Sequence, residues 1–453
     1  MAQDSAESDL GPAENPAAGV GVAAAGLPGS RPGPEQALRE TGLDPDRLSV
    51  SYLGHYSHFA RIPPWLKRLT AAFTLLLASL TLQHLVTDLP KVVSAAIALA
   101  TGLVMLQSAC EILVLATERV AARYRWNHYT AGTLAEILST TPELVVIAFV
   151  IPVSPITAFV ITVITIYNNA LVFSLYSFFL PKDTQGKFLM PTPITEAGTQ
   201  ILIGGGAMGL ILGLVMLTFM AADESKSSFT AIDLVFISVI LLTIFGVYLY
   251  KLVTSYAKEE AEVREILDMS SVDVDQRLSI VYRFVKPSTL PNIALLFLIG
   301  ITGAFIGGEQ VSHFAGAMIT DLDFNPILTA MILAVFAGMS EYVILWQSHR
   351  KHEYGIALAN AFGGITQVMF LVLPFTLLGI AGYQALINPA HPELPLGFSL
   401  SGIFLLIFLF PTFYTLTSLL EEDHTLGILD TTIMTGIFLF LIVLLATHGA
   451  GGA

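Results

Sequence analysis

The chain has 453 residues, of which 54% are hydrophobic and only 12% charged. Soluble domains carry about a quarter charged residues, so a water-soluble globular protein is excluded and an all-α integral membrane protein is expected. The net charge of −14 argues against a nucleic-acid partner, and a single cysteine, Cys110, excludes a disulfide framework or a cysteine-based metal site.

Residues 1–60 are rich in Ala, Gly, Pro and acids without periodicity, and no basic segment precedes an apolar one there. A disordered cytosolic tail is expected rather than a signal peptide. "RIPPWLKRLT" then puts Trp65 beside Arg61, Lys67 and Arg68, an interfacial composition that opens an extra first span over 61–91. Apolar segments long enough for the ~20 residues of a bilayer core follow in series. With the first, they lie at 69–87, 92–118, 129–151, 155–180, 194–221, 229–256, 290–319, 326–346, 355–380, 396–418 and 425–447. That is about eleven spans.

Basic residues orient them. With the N-terminus inside, the inner loops collect Arg119, Arg123, Lys182, Lys187, Arg350 and Lys351, among others, whereas the outer loops hold only Lys91 and Lys226. Short Lys/Arg-rich loops face the cytosol, so a cytosolic N-terminus and an outer or luminal C-terminus are expected. The segment 258–289 is acidic and helix-favouring. It reads as a cytosolic linker helix between a first half, 92–257, and a second half, 290–453.

The halves repeat. Glu341 lies 198 positions after Glu143, and the same offset carries Glu111 onto Glu309, Asn127 onto Asn325 and Asn169 onto Gln367. Intramembrane carboxylates are rare and costly, so this coincidence points to duplication. The repeated spans differ by five in order, so the two copies run in opposite directions. The expected architecture is a ten-helix core of two inverted five-helix repeats plus the extra first span. Inverted repeats of this kind build secondary transporters, with sites at the midplane on interrupted helices.

Glu143, Glu341, Asn169 and Gln367 each fall about 13 to 15 residues into their spans, near the middle of a ~30 Å core at 1.5 Å per residue. Two carboxylates and two carboxamides make an oxygen-rich set suited to a hard dication such as Ca²⁺. Pro142 and Gly338 loosen the helix just before each glutamate, and Thr140, Thr141 and Ser340 add hydroxyls there. Glu143 and Glu341 are the expected metal ligands. Two carboxylates in one low-dielectric site cannot both stay ionised without a cation, so the pair either holds a dication or takes up protons as a coupled unit. That competition is the core of an antiport. Glu111 and Glu309 are expected one in each vestibule. Glu136, seven residues before Glu143, either lines the inner path or pairs with a base. No phosphate-binding loop is present, and "HRKHE" at 349–353 is not a zinc-binding pattern. Neither an ATP-driven pump nor a metalloenzyme is expected, and no resident cofactor.

These features resemble the calcium/cation antiporter superfamily, whose two inverted repeats each carry a central glutamate after a helix break. "GITQVMFLVLP" is similar to the second repeat of cation/proton exchangers, while "TTPE" is closer to the first repeat of sodium/calcium exchangers. The resemblance implies that Glu143 and Glu341 bind the cation and that Gln367 lies at the site. It implies a secondary antiporter exchanging Ca²⁺ or a related divalent cation for H⁺, with Na⁺ as the alternative coupling ion and a cation channel as the rival class. The expected setting is a lipid bilayer, a bacterial inner membrane or alternatively a vacuolar one, with the protein a monomer or homo-oligomer.

Overall fold

The computed structural model describes residues 64–85, 90–124, 137–138, 140–190, 194–222, 228–268, 289–324, 326–350, 354–387, 396–397, 400–422 and 424–448. The expected tail 1–60, Asn127, Glu136, Asn325 and the greater part of the expected linker lie outside the described residues. Helix dominates. The helices are α1 (Pro64–Leu85), α2 (Lys91–Tyr124), α3 (Thr141–Val150), α4 (Pro155–Tyr176), α5 (Thr199–Ala222) and α6 (Ala231–Asp268). The second half follows with α7 (Leu290–Gly316), α8 (Pro326–Ala337), α9 (Met339–Arg350), α10 (Tyr354–Gln367), α11 (Leu373–Leu386), α12 (Leu400–Glu421) and α13 (Ile428–His448).

Among the described residues, eight helices are long and apolar enough to cross a membrane, and two shorter apolar helices accompany them. The shorter ones, Thr141–Val150 and Ile327–Ala337, fall in the two expected spans that carry the helix breaks. The α1 helix coincides with the expected first span but is less apolar, since Lys67, Arg68 and His84 fall within it. One boundary moves. The α6 helix runs on through Asp268, 38 residues in all, or roughly 57 Å at 1.5 Å per residue. The first part of the acidic segment therefore prolongs a spanning helix.

Outward faces carry large apolar side chains such as Leu77, Phe236, Leu298 and Phe440, while much of the polar content points inward. Hydroxyls are accommodated by donating back along their own helices. Thr117 donates to Leu113 O (2.9 Å), Thr162 to Ala158 O (3.0 Å) and Thr165 to Ile161 O (2.8 Å). The α4 helix starts where Ser154 accepts from Thr157 N (3.2 Å) and Pro155 takes the first helical position.

The packing bears the mark of a two-fold axis. Helix α2 lies against α7, α4 against α10 and α5 against α12, each an element against its own repeat mate. Likewise α6 packs on α11 and α13 on α4, the fifth element of each half on the third of the other. The glycine seams give the direction. A Cβ on Gly102 would meet Val311 at 2.8 Å and Gly307 O at 2.9 Å, and one on Gly300 would meet Leu113 at 2.8 Å and Ala109 O at 3.4 Å. Shifted by 198, the first set of contacts becomes the second. Rising numbers in α2 meet falling numbers in α7, so the two mates are antiparallel, as inverted repeats require. The α5–α12 seam runs the same way, with Gly206 against Phe410 and Gly213 against Ile407 and Ile403.

Loop contacts test the expected alternation of sides. Strand β1 (Phe188–Leu189) pairs antiparallel with β4 (Thr425–Leu426), and β2 (Ser228–Phe229) with β3 (Leu396–Gly397). The first pair joins two loops expected inside, the second two expected outside. The Lys91–Asp321 ion pair (2.6 Å) links two outer loops, and Tyr176 meets His349 (3.3 Å) across two inner ends. None of these contacts joins opposite faces.

Candidate cation site

Each half supplies a broken helix. In the first, α3 starts at Thr141 with Pro142 next, and Glu143 lies in its first turn. In the second, Gly338 separates α8 from α9, and Glu341 lies in the first turn of α9. Both glutamates are the third residue of a helix that begins inside the fold. A helix N-terminus carries unpaired N–H groups and a partial positive charge that favours an anion. That explains why a breaker precedes an acid in both copies: the break creates the N-terminus on which the carboxylate sits.

Both acids are buried, Glu143 at 3% exposure and Glu341 at 7%. Neither oxygen of Glu143 has a hydrogen-bond partner, and the same holds for both amide atoms of Asn169 and for Gln367 Oε1. Buried polar groups are normally satisfied, and an unpaired buried carboxylate costs several kcal/mol. Four of these unsatisfied atoms are oxygens, the donor type that a hard cation takes.

The surroundings show how the groups are held. On α10, Asn360, Gly364 and Gln367 recur at helical spacing on one face. Asn360 Nδ2 donates to Glu341 O (3.3 Å). At Gly364 a Cβ would lie 2.4 Å from Glu341 Oε2 and 2.8 Å from Oε1, so the carboxylate rests directly on bare backbone. On α4, Asn168 Nδ2 donates to Ala334 O (3.4 Å) and to the Tyr342 hydroxyl, tying the first half to the second. Asn169 Oδ1 approaches the helix break, 3.1 Å from where a Cβ on Gly338 would stand. A small cavity of about 30 Å³ opens beside Glu143, lined by Gln107, Pro142 and apolar side chains of α2, α3, α7 and α8.

The other expected site residues separate. Thr140 is buried, at 1% exposure, and its hydroxyl donates to Ile137 O (2.7 Å); Thr141 is half-buried. Ser340 falls in the first turn of α9, its side chain outside the described residues. The two acids expected in the vestibules differ from each other. Glu111 forms an ion pair with Arg68 of α1, whereas Glu309 is exposed. The extra helix covers one member of the pair and leaves its mate open.

Sequence reasoning missed Asn168, Asn360, Gly364, Tyr342 and Gln107. Asn168, adjacent to Asn169, and Asn360, about two turns before Gln367, carried a signal, being carboxamides inside apolar helices. Gly364 and Tyr342 carried none, because glycine and tyrosine are ordinary in membrane helices. Among the described residues no group of three His, Cys, Asp or Glu side chains gathers. The two helix breaks bring a buried acid each, with Asn169 beside the second break and Asn360 on Glu341.

Residues 292–447 match the family described as sodium/calcium exchanger protein. Among solved structures, the crystal structure of the H⁺/Ca²⁺ exchanger CAX is 13% identical, covering 84% of this chain and 88% of its own, with a TM-score of 0.56. The structure of native YfkE is also 13% identical, covering 84% of this chain and 98% of its own, with a TM-score of 0.53. A structure of the sodium–calcium exchanger NCX_Mj is 16% identical over 77% of this chain and 99% of its own, with a TM-score of 0.45. No curated protein matches the chain.

Proposed function

We propose that the chain, a multi-pass membrane protein whose residues 292–447 match the sodium/calcium exchanger family and whose fold is that of solved exchangers, is a calcium/cation antiporter that exchanges Ca²⁺ for H⁺ by alternating access. The observation that carries the proposal is the Glu143 carboxylate, buried at 3% exposure with both oxygens unpartnered. Asn169 and Gln367 are likewise buried and unsatisfied, and Glu341 is the repeat mate of Glu143.

A dication is the cargo that such a group fits. Ca²⁺ takes six to eight oxygens from carboxylates, amides, backbone and water at 2.3–2.6 Å. Glu143 and Glu341 supply the charge, and Asn169 and Gln367 supply carbonyl oxygens. Thr140 and Thr141 border the break. Two protons neutralise the same two carboxylates, so Ca²⁺ and two H⁺ are alternative ways of leaving the site near neutral. Exchange follows if the site opens to one side at a time and crosses only when neutralised. The basic-residue asymmetry supports a cytosolic N-terminus, in a bacterial inner membrane or a vacuolar one. Na⁺ is the alternative coupling ion, favoured by the "TTPE" of the first repeat.

The test is Ca²⁺ uptake into proteoliposomes with H⁺ and Na⁺ gradients imposed separately. Uphill uptake driven by the H⁺ gradient, lost in both Glu143→Gln and Glu341→Gln, is expected. Uptake that follows only the Na⁺ gradient assigns the coupling to Na⁺. Flux that never runs uphill under either gradient indicates a channel. Wild-type transport in both variants overturns the site.

A further inference from the structure

We propose that the Tyr342 hydroxyl is a further oxygen of the cation site, contributed across the two-fold axis to the first half; this deepens the antiporter reading and rests on it. The residue directly follows Glu341. Its repeat mate is Leu144, which is half-buried and has no polar atom in its side chain. Here the duplication is broken, and it is broken by adding an oxygen next to the site.

Two observations place that oxygen. The phenol reaches from α9 to α4, where Asn168 Nδ2 donates to it and also to Ala334 O (3.4 Å). The amide therefore anchors the hydroxyl from one side. The oxygen also stands over the helix break, since a Cβ on Gly338 would lie 2.6 Å from the Tyr342 hydroxyl and 3.1 Å from Asn169 Oδ1. Two atoms so close to one point are at most about 5.7 Å apart, the sum of those two distances. Two ligands of one Ca²⁺ at 2.3–2.6 Å each stand up to ~5 Å apart, a separation that falls within this bound. A phenol has one O–H to donate and two lone pairs. Asn168 uses one lone pair. The other is left for a cation, and Asn169, beside the same helix break, is unsatisfied.

The bulk of the ring has a separate role. Gly338 is needed because the phenol occupies the space of its missing side chain. Ring and hydroxyl can thus be tested apart. Tyr342→Phe keeps the ring and removes only the oxygen. Tyr342→Leu copies the first repeat.

The experiment measures ⁴⁵Ca²⁺ binding to the purified full chain and Ca²⁺ uptake in proteoliposomes, with melting temperature as a check on folding. Tyr342→Phe is expected to raise the half-saturating Ca²⁺ concentration about tenfold in both assays. Its maximal uptake rate should stay within about twofold of wild type, and its melting temperature should be little changed. Tyr342→Leu should lose at least as much affinity. An unchanged half-saturation in Tyr342→Phe overturns the proposal, and so does a loss of maximal rate and melting temperature at constant affinity, which marks a clamp between α9 and α4. Either result leaves intact the antiporter reading, which is judged by wild-type uptake and the two glutamate variants.

Discussion

Replacing Gly364 with alanine puts one methyl group where the Glu341 carboxylate rests. The added Cβ would stand 2.4 Å from Oε2, 2.7 Å from Cδ and 2.8 Å from Oε1. Carbon–oxygen contacts settle near ~3.3–3.6 Å, so the carboxylate has to retreat by about 1 Å. It has little room, being 7% exposed, and its own backbone carbonyl is held by Asn360. A misplacement of ~1 Å in a positioned group costs up to ~100-fold in rate. Gly364→Ala should therefore lower the rate of Ca²⁺ uptake at subsaturating Ca²⁺ by about 10- to 100-fold, or about 1.4 to 2.7 kcal/mol. Gly382→Ala is the control, because a Cβ there meets nothing within 4 Å. Uptake in proteoliposomes, corrected for the amount of folded protein, is the assay. Wild-type kinetics in Gly364→Ala would refute the seating of Glu341 on this backbone and with it the site geometry of the second half.

Ca²⁺ at a hundred times its Kd should stabilise the wild-type protein by about 2.7 kcal/mol, read as a rise in melting temperature in detergent, and Glu143→Gln should show no such rise. Arg68→Ala should destabilise the fold, because it strands Glu111 at 11% exposure. The cost expected is about 2 kcal/mol, below the ~3–5 of a fully buried pair because Arg68 keeps 35% exposure; the double variant Arg68→Ala/Glu111→Gln should recover most of it in the same melt. Lys91→Ala should cost under ~1 kcal/mol, since the Lys91–Asp321 pair is 64% and 40% exposed, and a larger loss would mean that this outer contact bears on the packing of α2 against α7.

The inverted duplication was legible because carboxylates inside apolar sequence are expensive, so Glu143 and Glu341 at equal depth stand out against the background. Asn169 and Gln367 followed from the same offset. The shape of the site was not legible. A helix break can be read from Pro142, but the seat of Glu341 on Gly364 depends on how α9 meets α10, and that contact joins residues with no periodic relation. Arg68 reads as an interfacial anchor because basic residues cluster around Trp65. Its pairing with Glu111 requires knowing that α1 lies along α2. Glu111 and Glu309 look equivalent in sequence because the offset matches them, yet only one of them is covered by the extra helix.

The two short strand pairs have a mechanical consequence. Strands β1 and β2 flank α5, and β4 and β3 flank α12, so the antiparallel pair is clipped to itself at both ends. With its backbones also interlocked at Gly206, Gly209 and Gly213, the pair forms a closed frame. Lengthwise shear between α5 and α12 would have to strip backbone hydrogen bonds at one end or the other. The α2–α7 pair has a comparable glycine seam and, among the described contacts between its ends, a single exposed ion pair on one side. The frame resists shear, and the other seam is the softer one.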